Sequence, residues 1–179
     1  MSKMLSVILS NYNHAQYLER ALEAILNQTY KPMEFIIIDD ASTDNSVEII
    51  ERFMEKYSTI RLIKNNQNRG LVANGKELLR LAQGDYVYWP ASDDMILPGF
   101  FEKSMNLLSQ HPQAGLSWVD TIFINERDQK IGEDRLHLSS EPRYLSSKEM
   151  VEILRKKMLH ISGLNTIYKQ SALVGAGGI

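Results

Sequence analysis

The sequence predicts a three-layer α/β/α fold around a mostly parallel central sheet. Apolar runs of strand length alternate with segments whose apolar residues recur at helical spacing. Two of those runs are followed closely by acidic pairs, Asp39-Asp40 and Asp93-Asp94. The 179 residues are 44% hydrophobic and 23% charged, which suits one globular domain with its own core. Because strands and helices alternate, the crossovers should be right-handed and the strands parallel.

The first half of the chain contains the regular alternation. Residues 4–9 and 34–38 are short apolar runs of the kind found in buried strands. Lys31-Pro32 ends the helix between them, Asp44 is a suitable N-cap for the next helix, and Gly84 ends the third. In order, we predict a strand at 4–9, a helix over about 18–26, a strand at 34–38, a helix over about 49–57, a strand at 60–64, a helix at 71–82 and a strand at 86–89.

The second half departs from this alternation. Ser146 and Glu149 have the spacing of a capping box, in which each residue satisfies the other's backbone N–H at a helix start. In order, the pattern predicts a helix from Pro98-Gly99 to about Gln110, one long strand over 115–125, a hairpin turn at 126–129, a helix from Ser146 to about Met158, a strand over 164–168 and a final turn from Gln170.

Composition excludes several classes of protein. A net charge of −2 and a pI near 6.1 provide no general attraction to phosphate backbones, so we expect no nucleic-acid partner. The chain has no cysteine, which excludes a disulfide framework and fits a reducing compartment. No apolar run is long enough to span a membrane and no signal peptide is recognisable. We expect a cytoplasmic protein, a location that allows peripheral contact with the inner face of the membrane.

Both acidic pairs lie just beyond predicted strands. Asp39-Asp40 follows Phe35-Ile36-Ile37-Ile38 directly, and Asp93-Asp94 follows the strand that ends at Trp89. Strand-end carboxylates on an open sheet project into the crevice where α/β proteins bind ligands, and four of them would repel one another unless a cation or polar ligand intervened. Carboxylate oxygens suit Mg²⁺ or Mn²⁺. A helix cap or turn acid would explain one aspartate of a pair, but explains two less well.

Two further segments could contact a ligand at the same edge. Ser10, Asn11 and Tyr12 end the first strand and offer a hydroxyl, an amide and an aromatic ring for a base or ribose. An ordinary Asx-type turn would explain them too. Arg69 and Gly70 precede the third helix, where the glycine could let the backbone approach a ligand and the arginine could meet a phosphate. A plain turn with a solvated arginine is an equally good interpretation.

Several familiar signals are missing. Neither G-x-G-x-x-G after the first strand nor G-x-x-x-x-G-K-[ST] occurs, which argues against dinucleotide oxidoreductases and P-loop NTPases. A phosphate would then have to be handled by a metal. The histidines, at positions 14, 111, 137 and 160, lack metal-ligand spacing, and we expect structural or surface roles for them.

Five motifs, taken in order, resemble those of family 2 glycosyltransferases. They are SVILSNYN at 6–13, QTY at 28–30, IIDDASTD at 37–44, NRG at 68–70, and the segment from Gly84 through Asp93-Asp94 to Pro98. The resemblance covers residues 4 to about 110 and continues faintly to the end. It implies a GT-A type fold of the nucleotide-diphospho-sugar transferase superfamily, and an enzyme that moves a sugar from a nucleotide-diphosphate donor to an acceptor hydroxyl.

The resemblance also implies roles for particular residues. Ser10, Tyr12 and Asp40 would contact the nucleoside, while Asp39 would support the loop. Asp93 matches the last acid of the family's D-x-D motif and would hold Mn²⁺ or Mg²⁺, with Asp94 assisting. The predicted donor-binding set is Ser10, Asn11, Tyr12, Asp39, Asp40, Arg69, Gly70, Lys76, Ser92 and Asp93.

Two positions depart from the family pattern. Ala91 stands where the first acid of D-x-D is usual, which leaves Asp93 and Asp94 as the predicted metal ligands. Gly75-Lys76 replaces an Arg-Asn pair that is common in the family. Arg69 and Lys76 therefore remain as candidate basic contacts to the diphosphate.

In such enzymes a carboxylate base deprotonates the acceptor hydroxyl, which displaces the nucleoside diphosphate with inversion while a metal neutralises the leaving group. That base is expected beyond Ile179. We expect a C-terminally truncated GT-A domain, with a nucleotide-sugar-binding half at about 1–110 and the start of an acceptor half at about 111–179. The expected acceptor is a glycan or a lipid-linked molecule in polysaccharide or cell-surface glycan synthesis.

Two alternatives remain open. Ala91 and the missing base would also fit a non-catalytic module that binds a nucleotide sugar or another protein. A receiver-like signalling domain also places an acidic pair and a further aspartate around Mg²⁺. It is less favoured because its acids should begin at the first strand, which here ends in Ser-Asn-Tyr-Asn at 10–13.

Overall fold

The computed structural model of the protein describes residues 3–134, 141–157 and 165–177. Its elements, in chain order, are β1 (Leu5–Asn11), α1 (Ala15–Leu26), β2 (Glu34–Asp39), α2 (Ser46–Met54), β3 (Ile60–Lys64), α3 (Leu71–Leu81), β4 (Tyr86–Tyr88), α4 (Phe100–Gln110), β5 (Leu116–Trp118), β6 (Thr121–Ile124), β7 (Lys130–Asp134), α5 (Ser147–Lys157), β8 (Thr166–Lys169) and α6 (Gln170–Gly175).

A six-stranded sheet in the order β3-β2-β1-β4-β8-β5 forms the centre of the molecule. The strands β3, β2, β1 and β4 are parallel, and β8 runs antiparallel between β4 and β5. The pairing of β1 with β2 sets Asn11 opposite Asp39, so both strands end at the same level. The predicted mostly parallel sheet is confirmed, and its carboxyl edge gathers the loops that follow β1, β2 and β4.

Alternating side chains cover the two faces of the sheet with different helices. On one face Val7, Leu9 and their neighbours pack against the apolar sides of α1, α2 and α4. On the other face Ile8 and Ile36 pack against α3 through Leu78. The central strands β1, β2 and β4 bury both faces, which explains why they read as continuous apolar runs in the sequence. The result is a three-layer α/β/α arrangement.

The segment predicted as one strand at 115–125 is two strands in different sheets. β5 ends at Trp118 and pairs with β8, whereas β6 begins at Thr121 and pairs only with β7 among the described elements. The chain leaves the central sheet at Val119, whose N–H donates to the Asn165 carbonyl. The single-strand prediction was wrong because periodicity along one strand does not reveal which sheet accepts it. The predicted hairpin is present as β6–β7.

Helix caps were predicted with mixed success. The capping box at α5 is confirmed: the Ser146 N–H donates to Glu149 Oε2 at 2.8 Å and the Glu149 N–H to Ser146 Oγ at 3.3 Å. The N-cap position of α2 is Asn45, one residue after the predicted Asp44, but the Asn45 side chain makes no capping hydrogen bond. Asp44 instead accepts hydrogen bonds from the Ser46 N–H and, across the molecule, the Ala15 N–H. The predicted helix end at Met158 and strand start at Leu164 lie outside the described residues.

Within the described residues no helix has both the length and the apolar character needed to cross a bilayer.

Candidate active site

Asp39 is the last residue of β2 and is buried, with 2% of its surface exposed. One carboxylate oxygen accepts the Ser42 N–H at 2.9 Å, and the other accepts the Ser42 hydroxyl at 2.6 Å and Asn11 Nδ2 at 2.9 Å. Asp39 therefore closes its own loop and links it to the end of β1. Asn11 is itself 1% exposed, and its Oδ1 is buried without a hydrogen-bond partner among the described residues. Such an acceptor is normally satisfied by water or a ligand.

The loop after β2 carries backbone strain. Ala41 has φ of 64°, in the left-handed region that a residue with a Cβ rarely adopts. Asn13, in the facing loop, has φ of 55°, and its side-chain oxygen accepts the Thr43 N–H at 2.8 Å. Strain of this kind persists where surrounding contacts fix the backbone, and it is common at ligand sites.

Asp40 connects the end of β2 to the loop before α3. It is 2% exposed, and its carboxylate accepts the Arg69 N–H, the Gly70 N–H and Asn65 Nδ2, at 2.8, 2.8 and 2.7 Å. Burial alone would raise the pKa of Asp40. The hydrogen bonds from Arg69, Asn65 and Gly70, together with the nearby Asn74 amide, outweigh that effect and leave its pKa below the ordinary value. Asp40 is thus an ionised residue whose hydrogen bonds join two loops of the protein. Its contact with a nucleoside stays a prediction.

Gly70 has φ of 81°, and a Cβ there would meet nothing within 4 Å, so the backbone conformation and not the available space calls for glycine. This conformation turns two successive N–H groups, those of Arg69 and Gly70, toward Asp40. The Arg69 side chain is exposed.

Asn65 and Asn74 extend this network, and sequence reasoning missed both. Asn74 is fully buried in α3, accepts Asn65 Nδ2 at 2.8 Å and donates to Ser10 Oγ at 3.3 Å. Asn74 could have been recognised from its position one turn before the buried Leu78, in the apolar stripe of the helix. A polar residue in the apolar stripe of a helix needs a buried partner.

Lys76 does not join this group. It lies on the exposed side of α3, two residues from the buried Asn74, and residues at that spacing face opposite sides of a helix. Gly75, beside it, is buried under the Trp89 ring. A Cβ at Gly75 would lie 2.1 Å from Trp89 Cη2, so glycine is required there by close packing.

The second acidic pair lies in the loop after β4. Asp93 is exposed and Asp94 is half-buried. Burial raises the pKa of Asp94, and the charge of Asp93 raises it further. Burial and the charge of Asp94 likewise raise the pKa of the Tyr88 hydroxyl. The two carboxylates therefore repel each other, and a bound cation would relieve that repulsion.

The same loop is joined to the start of α1. Ser92 is 3% exposed, and its hydroxyl shares a hydrogen bond of 2.6 Å with Nδ1 of His14. This pairing could not be predicted from the sequence, because 78 residues separate the partners. Tyr12, near this junction, leaves 44% of its surface exposed, so its ring is available to a ligand.

The donor set fits a small divalent cation. Among the described residues no group of three or more His, Asp or Glu side chains could enclose a metal ion. Mg²⁺ and Mn²⁺ commonly take only one or two carboxylates from a protein, while phosphates and water complete the shell. Asp93 and Asp94 provide two such carboxylates.

Comparisons with known proteins place the chain in a family. The family model described as "Glycosyl transferase family 2" matches residues 6–175. The chain is 39% identical over 107 residues to the putative glycosyltransferase EpsE of Bacillus subtilis, covering 59% of this chain and 38% of that protein. It is 38% identical over 103 residues to the glycosyltransferase GlyG of Streptococcus pneumoniae, covering 57% and 34%. The protein belongs to glycosyl transferase family 2.

Solved structures agree on the fold. S. aureus TarS 1-349 in complex with UDP-GlcNAc superposes with a TM-score of 0.77 at 20% identity, covering 97% of this chain and 47% of that one. The mannosyltransferase PcManGT from Pyrobaculum calidifontis, in complex with GDP-Man and Mn²⁺, gives 0.70 at 22%, covering 99% and 48%. The predicted family and its GT-A type fold are confirmed. The chain spans 34 to 43% of the length of the first three curated relatives.

Proposed function

We propose that the protein binds a nucleotide-diphosphate sugar at the carboxyl edge of β1, β2 and β4, and that it serves a glycosyltransferase reaction. The observation that carries the proposal is the convergence of three strand-end segments on this edge, around Asn11, Asp39 and Ser92. Polar side chains there are buried, backbone in the left-handed region is held by hydrogen bonds, and the loop after β4 carries an exposed and a half-buried carboxylate that repel each other. This combination is typical of a preorganised ligand site.

The two acidic pairs have different tasks in this proposal. A carboxylate can accept about four hydrogen bonds, and Asp39 accepts three from the protein. It therefore keeps room for a base N–H or a ribose hydroxyl, and so does Asp40, which also accepts three hydrogen bonds. The exposed ring of Tyr12 would stack on the base, and Ser10 and Asn11 would line the ribose. Arg69 is the better candidate for the diphosphate, since Lys76 faces away.

A divalent metal would be held by Asp93 and Asp94, with Ser92 setting their loop. When bound, it supplies positive charge that neutralises the departing diphosphate. The Pyrobaculum neighbour, which is in complex with GDP-Man and Mn²⁺, supports a metal in this fold. The UDP-GlcNAc complex of TarS supports the nucleotide-sugar donor.

Transfer itself needs an acceptor and a base. We place the donor-binding half at about 1–110 and the start of the acceptor half at about 111–179. An inverting transfer to a glycan or lipid-linked hydroxyl, in polysaccharide or cell-surface glycan synthesis, is the reaction proposed for the whole protein.

Calorimetric titration of the purified chain with UDP, GDP and TDP, each with and without Mn²⁺, tests the proposal. We expect one nucleotide to bind in a metal-dependent manner and Asp93→Asn to abolish the metal-dependent part. Asp128→Asn is the matched control, because Asp128 is an exposed hairpin-turn residue whose φ of 60° suits asparagine equally well. Absence of binding by all three nucleotides would refute the proposed site.

The second candidate function is a non-catalytic nucleotide-sugar-binding module, favoured by Ala91 at the position of the usual first acid. It predicts metal-dependent nucleotide binding without release of nucleoside diphosphate from the matching donor. Steady release of nucleoside diphosphate, in a coupled assay with water or a sugar as acceptor, would exclude it.

A further inference from the structure

We propose that His14 is a positioning residue that holds the Asp93-Asp94 loop in place. The inference deepens the proposed function and rests on it, since it assigns a cause to the placement of the metal-binding acids. Nδ1 of His14 shares a 2.6 Å hydrogen bond with the Ser92 hydroxyl, directly before Asp93. Ser92 is 3% exposed and His14 is half-buried, so water competes little for this bond.

The acidic loop needs an external support. Residues 89–99 form neither helix nor strand, so no regular backbone ladder sets the direction of the acids. Asp93 and Asp94 also repel each other, which favours any rearrangement that separates them. A hydrogen bond at Ser92 opposes that rearrangement at the residue next to the pair.

His14 is well placed to give such support, because its own backbone is fixed. Its carbonyl accepts the Tyr17 and Leu18 N–H groups, which open α1, at 2.9 and 3.0 Å. The residues on both sides are anchored as well: the Asn13 N–H donates to Ser42 Oγ at 3.0 Å and the Ala15 N–H to Asp44 Oδ2 at 2.9 Å.

These contacts connect the two acidic pairs through the protein. Asp39 binds Ser42, Ser42 binds the Asn13 N–H, and His14 then reaches Ser92. The loop that would meet the nucleoside and the loop that would meet the metal are therefore set relative to each other by one short path. A site whose ligands are fixed in advance loses less free energy to ordering when it binds.

The first test needs neither metal nor nucleotide. Amide hydrogen exchange of residues 91–96 is measured in the metal-free protein for the wild type, His14→Ala, Ser92→Ala and His14→Asn. We expect exchange in this loop to be at least about threefold faster in the two alanine variants, because local opening is no longer opposed by the hydrogen bond. His14→Asn should restore slow exchange, since an asparagine amide can occupy the place of Nδ1 and can donate or accept.

His111→Ala is the matched control for loss of a histidine ring. His111 lies at the end of α4 and stacks on Tyr144 with ring centroids 5.5 Å apart, remote in sequence from the loop. It should leave exchange at 91–96 unchanged. Equal exchange in the wild type and both alanine variants would overturn the inference, whatever the protein binds.

The second test measures Mn²⁺ affinity in the presence of the nucleotide that binds best. Loss of a group that orients a metal ligand typically weakens the metal by about tenfold or more, and we expect this for His14→Ala and for Ser92→Ala. The double variant should lose no more than either single variant, because both remove the same hydrogen bond. If the loss of Mn²⁺ affinity in the double variant equals the product of the two single losses, His14 and Ser92 do not act through one hydrogen bond and the inference is refuted. If the wild type binds no metal, the proposed function fails, while the exchange result still decides whether His14 holds the loop.

Discussion

Replacing Asp40 with asparagine should destabilise the protein by about 3 kcal/mol. The carboxylate accepts three hydrogen bonds from the loop between β3 and α3: Oδ1 accepts Asn65 Nδ2 and the Arg69 N–H, and Oδ2 accepts the Gly70 N–H. An asparagine has one acceptor oxygen, so in either orientation its NH₂ group must face a donor. At least one partly buried donor therefore loses its partner.

The magnitude follows from these contacts. A buried donor left unsatisfied costs about 1–3 kcal/mol, and each hydrogen bond that survives changes from a charged to a neutral acceptor, at a cost of about 1 kcal/mol. The lower desolvation penalty of a neutral amide offsets about 1 kcal/mol of this sum. For a chain of this size, the remaining 3 kcal/mol corresponds to a fall in melting temperature of about 6–12 °C.

Urea unfolding followed by circular dichroism, with a thermal melt in parallel, measures the effect. Asp93→Asn is the control, because Asp93 is exposed and its neutralisation relieves repulsion with Asp94. It should leave stability unchanged or slightly higher. A melting temperature of Asp40→Asn within about 2 °C of the wild type would refute the reasoning.

The pH dependence provides an internal check. The pKa of Asp40 is lowered in the folded protein, so its stabilising contribution is complete above the unfolded-state pKa of about 3.9 and is lost as pH falls through the lower folded value. The difference in stability between the wild type and Asp40→Asn should therefore be constant above about pH 5 and shrink below pH 4.

Three further predictions concern neighbouring positions. Ala41→Gly should raise the free energy of unfolding by about 0.5–1 kcal/mol in urea titration, because glycine adopts the observed φ of 64° without strain; no gain would mean the strain is absent. Gly75→Ala should lower the free energy of unfolding by about 1–2 kcal/mol, since the new Cβ would lie 2.1 Å from Trp89. In a Trp89→Leu background the same substitution should raise the free energy of unfolding. Mn²⁺ affinity should weaken as the pH falls toward the raised pKa of Asp94, because a proton then competes with the metal; in Asp94→Asn the fall should begin at a lower pH, and an equal onset in both proteins would contradict the assignment.

The sequence was sufficient for the parts of the fold that depend on local pattern. The strands at 34–38 and 60–64 and the helix at 71–82 were predicted within one residue, because buried parallel strands and amphipathic helices have distinct periodicities. The strand at 115–125 was not resolved into β5 and β6, since the change of sheet depends on Asn165, about 40 residues away. Pattern alone cannot specify a partner that far along the chain.

The candidate site, like the fold, was predicted from the sequence only in part. Acidic pairs at strand ends were visible in the sequence because they interrupt the expected pattern, and the fold brings Asp39 and the Ser92 loop to one edge. Asn65, Asn74 and His14 were missed, because each is defined by a partner far away in the sequence. A residue whose role is to hold another residue has no signature in a single sequence unless it occupies an anomalous position, as Asn74 does in the apolar stripe of α3.

The electrostatics of the two acidic pairs indicate that the pairs have different roles. Asp40 has donors arranged around it, so that its charge is satisfied before any ligand arrives. Asp94 has a burial penalty and an adjacent like charge, both of which a bound cation would offset. Folding alone explains the first arrangement, whereas the second is destabilising unless it serves binding. The cation is therefore expected at the loop after β4. The loop after β2 is expected to be the preorganised surface on which the nucleoside binds.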